Sequence, residues 1–209
     1  MRLASALATG ELASVHVGAS SNAGCGGTAP TSATVQAHGA GIAVGPGPGG
    51  ETAGKLRGRL TGFQETPAVS TTGSGEFRAF ASEDGTTFTF ELTYRELEGH
   101  LVAGGVVTAA HIHFGQRNVA GGVSVHLCGT GGRPACPPPP ATVTGTFTAA
   151  DVVGPTAQGI DAGELDELLR AARAGLTYVN VHTTRFPSGE IRGQLEASGF
   201  HGPDGEESE

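Results

Sequence analysis

The 209-residue sequence has no tryptophan, one methionine, three cysteines and only 12 lysines and arginines. Aromatic residues make up 5% of it, so a core can form only where the apolar residues are concentrated. With a formal charge of −8 and so few basic residues, the chain offers no clustered positive face for a phosphate backbone, and nucleic acid is excluded as an expected partner. No apolar run approaches the roughly 20 residues a membrane-crossing helix needs, so no membrane span is expected. There is also no Gly-x-Ser-x-Gly elbow and no cysteine beside a histidine, which leaves nucleophilic catalysis without a motif.

Glycine, by contrast, is abundant at 36 residues. Residues 1–54 hold twelve of these glycines and no aromatic residue, and include Gly-Pro-Gly-Pro-Gly-Gly at 45–50. Such a segment cannot bury enough apolar surface to offset the entropy of ordering, so 1–55 reads as a disordered Gly/Ala/Ser/Pro-rich arm. The 45–50 stretch lacks the Lys-Ser/Thr and the helix that a phosphate loop requires. Residues 197–209 carry Asp204, Glu206, Glu207 and Glu209 and read as a solvated acidic tail.

Between them, 56–196 shows short runs of period-2 alternation rich in β-branched and aromatic residues, separated by Gly/Ser/Asp turns. The expected strands are 56–61, 75–81, 86–94, 108–114, 123–127, 142–147, 177–183 and 190–195. Asp84-Gly85 marks a hairpin turn between the second and third. One segment, 160–175, follows helical spacing through Leu165, Leu168, Leu169 and Ala172; Asp161 and Glu164 suggest a capping box, and Gly175 fits the position after the helix end. The expected fold is all-β: an antiparallel Ig-like or superoxide-dismutase-like sandwich with one short helix before the last two strands.

His111 and His113 lie two apart on one strand and therefore share a face, a geometry able to chelate one metal ion. Asn180 and His182 share a face of another strand, and Glu190, Arg192 and Gln194 share one in the last. If these strands are neighbours, three imidazoles, a carboxylate and a guanidinium converge, and zinc, copper or nickel would each suit neutral imidazole. The alternative is that the histidines only bond backbone carbonyls. His100 and His126, at strand edges, receive no role; neither do His16, His38 and His201. Cys128 and Cys136 flank a short Gly/Pro loop, the spacing of a local disulfide, which would imply an oxidising compartment; the alternative is two free thiols. Cys25 is left over. Met1–Glu11 imitates an export leader only in part, interrupted by Thr9, Gly10 and Glu11.

Several segments resemble the CHRD family, first recognised in chordin: Leu60-Thr-Gly-Phe-Gln-Glu-Thr-Pro67, Ser74-Gly-Glu-Phe77, Asp84-Gly-Thr-Thr-Phe-Thr-Phe90, Val107-Thr-Ala-Ala-His-Ile-His113, Tyr178-Val-Asn-Val-His-Thr183 and Gly189-Glu-Ile-Arg-Gly-Gln-Leu195. The resemblance covers nearly all of 57–196 and implies an extracellular β-sandwich module, secreted or at the cell surface. Glu65 and Asn180 join the polar candidates because they fall within these motifs. Chordin's own ligand binding does not carry over, because the cysteine-rich modules that accompany it there are missing. A fainter similarity runs to copper–zinc superoxide dismutase, for which only His111, His113 and His182 could supply copper ligands.

Two functions follow as expectations. One is a non-enzymatic extracellular binding or structural module for an unknown protein or small ligand, with a His-based metal or ligand site. The other is a copper-dependent, dismutase-like redox enzyme in which Arg192 draws an anionic substrate. A hydrolase using metal-activated water ranks last.

Overall fold

The computed structural model describes residues 54–200. The 1–53 arm, Cys25, His16, His38, His201 and the end of the tail lie outside the described residues. Eight strands follow the alternation seen in the sequence: β1 (Lys55–Thr61), β2 (Ser74–Ala81), β3 (Thr87–Arg95), β4 (Val107–Phe114), β5 (Gly122–Cys128), β6 (Ala141–Thr148), β7 (Thr177–Thr183) and β8 (Ile191–Gln194), with helix α1 (Leu165–Arg173) before β7. A ninth, β9 (Glu196–Ser198), pairs with Lys55–Arg57 of β1. Ala197 and Ser198, read from the sequence as tail, are thus part of the sheet, and the helix precedes three strands rather than two.

The fold is all-β and antiparallel, as expected. The strands form one path, β5-β4-β7-β8-β1-β2-β3-β6. Its two halves are joined where Thr61 of β1 pairs with Arg192 of β8. The ends approach closure, because Val152, just after β6, bridges to Val125 of β5. Period-2 alternation explains the interior: Phe77, Phe88, Phe90, Leu92 and Phe147 from one half meet Ile112, Val179, Val181 and Ile191 from the other, all buried. Phe88 stacks on Phe147 with ring centres 4.9 Å apart, a pairing worth more than its buried area alone. The Asp84 carboxylate closes the β2–β3 hairpin by accepting hydrogen bonds from the Ser82 hydroxyl and the Thr86 amide.

Helix α1 packs Leu165, Leu168, Leu169 and Ala172 inward. Its start differs from the expected one. Glu164, not Asp161, occupies the capping position, and the Asp161 amide donates to the Glu164 carboxylate 2.7 Å away. Only the carboxylate half of the capping box forms, while the Gly163 amide bonds back to Val152 and holds residues 161–163 out of the helix. The end is as expected: Gly175 has φ +70°, its amide donates to Ala172 and that of Leu176 to Ala171, which together form a Schellman cap. Gly175→Ala is expected to cost about 1 kcal/mol, read as a lower urea midpoint with an unchanged slope.

Candidate metal centre

Pairing registers place the candidate residues. Across the sheet, His126 of β5 faces His111 of β4, which faces Asn180 of β7, which faces Arg192 of β8. One step along, His113 faces Tyr178, which faces Gln194. Because side chains alternate, all of these project from the face opposite Ile112, Val179, Val181 and Ile191. A soluble sheet would usually leave such a face to water. Here loops cover it, and His111, His113, Asn180, Arg192 and Gln194 are each 8% exposed or less.

One ring nitrogen from each of His111, His113 and His182 lies within 4.8 Å of the other two. The opposite nitrogens define which atoms these are. His113 Nδ1 is 3.0 Å from the Gly121 carbonyl, and His182 Nδ1 is 2.9 Å from that of Pro187. A carbonyl only accepts, so both rings carry their proton on Nδ1 and keep a bare lone pair on Nε2. His113 Nε2 is buried with no hydrogen-bond partner. His182 Nε2 stands 3.2 Å from His111 Nδ1; with its lone pair bare it accepts, and His111 Nδ1–H donates. Fixing the far nitrogen of each imidazole on a carbonyl or hydroxyl is how proteins orient histidine ligands.

The electrostatics favour neutral rings. Burial, followed by the neighbouring His182, His113 and His126, pushes His111 down to about 3. Burial pushes His113 down to about 4 against the opposing effect of the Gly121 carbonyl, and burial lowers His182 as well. Neutral imidazole is the metal-binding form, so protons compete little at neutral pH. The donor set of three neutral nitrogens fits zinc or copper, with a coordination position left for a further ligand.

The other sequence candidates divide. Arg192 is 2% exposed; its guanidinium lies over the Tyr178 ring at 3.4 Å and donates to the Gln116 carbonyl at 2.8 Å and the Thr66 hydroxyl at 3.3 Å. Tyr178 in turn stacks on His113 at 4.8 Å, so guanidinium, phenol and imidazole form one pile. Buried this way, Arg192 faces no solvent from which to draw an anion. Glu65 lies under the same loops, where burial pushes its carboxyl up to about 7 against the opposing effects of the Thr66 amide, Arg192 and Asn180. Gly189 has φ +129°, and a Cβ there would sit 2.2 Å from the Glu65 carboxylate, so only glycine admits this approach.

Glu190 stands apart. Its carboxylate accepts from the Thr71 and Thr183 hydroxyls and the Glu98 and Gly99 amides, at 2.6–2.8 Å. These partners tie two loop segments to the end of β7, and none of them is a histidine.

Cys128 and Cys136 form a disulfide. The loop it closes delivers Thr130, whose hydroxyl lies 2.7 Å from His111 Nε2 and 2.8 Å from His126 Nδ1. Sequence reasoning passed over both Thr130 and His126. The period-2 rule could have found His126, two residues from buried Ser124 on the adjoining strand, but Thr130 sits in an irregular loop with no periodic signal.

An antiparallel all-β domain of one helix, whose loop-covered polar face is centred on a His-x-His strand and a Tyr-Val-Asn-Val-His strand, defines a class that comparison with known families identifies. The family model for the CHRD domain matches residues 56–195, and the chain belongs to the CHRD family. No curated protein and no solved structure matches the chain significantly.

Proposed function

We propose that this chain is a non-enzymatic extracellular binding module of CHRD type whose His111, His113 and His182 hold one zinc or copper ion. The observation that carries this reading is the convergence of three ring nitrogens within 4.8 Å, two of them with bare lone pairs, on a sheet face roofed by loops. The disulfide fits an oxidising compartment, in line with action outside the cell. Burial of Arg192 favours a binding role over the dismutase-like one, which needs an accessible cation near the metal. The protein or small ligand served by the module would meet the ion at its remaining position.

The test is elemental analysis of the purified full chain after reconstitution with zinc or copper, beside a His111→Ala/His113→Ala double variant. About one ion per chain in the parent, reduced to background in the variant, is the expected result. A parent that retains no ion after reconstitution with either metal overturns the reading.

A further inference from the structure

The Thr130 hydroxyl bridges two imidazoles, and its loop is held firmly. The Cys128–Cys136 disulfide closes the loop, the Gly129 amide bonds to the Pro134 carbonyl, and Arg133 donates to the Thr146 carbonyl and the Asp151 carboxylate. Thr130 therefore meets His111 Nε2 at a fixed place.

The proton positions derived above determine how it does so. His111 Nδ1–H donates to His182, so His111 Nε2 is an acceptor and the Thr130 O–H donates to it across 2.7 Å. The Thr130 oxygen then accepts from His126 Nδ1–H across 2.8 Å. A metal ion among the three histidines needs the lone pair of His111 Nδ1. Once that nitrogen gives up its proton, a neutral His111 must carry hydrogen on Nε2, and the same contact has to run the other way, from ring to oxygen. A hydroxyl can reverse in this manner, because it both donates and accepts; a carbonyl or an ammonium group cannot.

We propose that Thr130 is a positioning residue that hands His111 its Nε2 proton as the cluster takes its metal ion, with half-buried His126 as the connection to solvent. One proton leaves His111 Nδ1 for solvent. The Thr130 proton passes to His111 Nε2, that of His126 Nδ1 passes to Thr130, and one proton from solvent replaces it on His126 Nε2. Both rings begin and end neutral, and no covalent bond other than these O–H and N–H bonds changes. The proposal rests on the three-histidine metal reading.

Long-range proton–nitrogen NMR of the 15N-labelled full chain, with and without one equivalent of zinc, reads ring tautomers directly. His111 and His126 should both change from Nδ1–H to Nε2–H when zinc is added. In competition with a chromophoric chelator, Thr130→Val should bind zinc 10- to 100-fold more weakly, and Thr130→Ser should stay within about threefold of the parent. An amide spectrum like the parent's checks that the valine variant keeps its fold. Zinc binding with an unchanged His111 tautomer, or a valine variant as tight as the parent, overturns this proposal alone. No zinc binding by the parent overturns the metal reading and this proposal with it.

Discussion

Glu190→Ala is expected to destabilise the domain by about 3–5 kcal/mol, the cost of removing one partner from a buried, charge-assisted network. The carboxylate is fully buried and takes four hydrogen bonds, two from backbone amides that have no other acceptor at hand. Alanine leaves those amides without the acceptor that the carboxylate supplies. Glu190→Gln is also expected to destabilise, because its amide nitrogen would face donors where the carboxylate offered an acceptor. Urea unfolding with the slope compared across variants measures the loss, and a change below about 1 kcal/mol for alanine would show that Glu190 does not hold these loops to β7. Since the network includes no histidine, the zinc or copper binding proposed for His111, His113 and His182 should survive in the refolded variant.

Glu65→Gln should have a different signature, one that depends on pH. Its folded-state carboxyl titrates at about 7 rather than near 4.5, so between these values the folded chain holds a proton that the unfolded chain has released. Stability therefore falls as pH rises through this window, and the full penalty is present above pH 7. Glutamine resembles the protonated acid and avoids the penalty. At pH 8 the variant should be more stable than the parent by about 3 kcal/mol, from about 2.5 units at 1.36 kcal/mol each, and at pH 4.5 the two should be nearly equal. The histidines produce the opposite flank. With His111 near 3 and His113 near 4, the unfolded chain takes up protons below about pH 6.5 that the folded chain refuses, so acid destabilises parent and variant alike. Urea midpoints at pH 5 and 8 decide the matter; a stability gain of equal size at both values would mean that Glu65 does not carry the proton.

These two glutamates also mark the limit of what the sequence conveys. Period-2 alternation located eight strands to within about one residue, because each strand turns one apolar face to the core. The same rule put His111, His113 and His182 on matching faces, and the pairing of β4 with β7 brought them together. Glu190 and Arg192 obey the alternation equally well, yet only Arg192 reaches the pile on His113. The reason is that Glu190 lies just before β8 and answers to Thr71, Glu98 and Gly99, whose approach depends on loop closure rather than on strand period. The start of α1 departs from the local sequence pattern for a related reason: Asp161 is a good capping residue in isolation, but the tertiary bond from Gly163 to Val152 decides where the helix begins. Thr130 has no signature in the sequence because the disulfide, not any local pattern, carries it to His111.

The near-closed sheet bears on how the domain behaves in crowded surroundings. Open sheet edges invite neighbouring chains to add a strand. Here the Val153 amide bonds to the Ser124 carbonyl and the Val125–Val152 bridge occupies the outer side of β5, while Arg133 takes up the Thr146 carbonyl on β6. Both terminal strands are thus engaged by the protein's own connecting segments. The loop that presents Thr130 also places Arg133 on β6, so opening the disulfide would expose a strand edge, and the earliest sign of reduction in concentrated samples should be self-association.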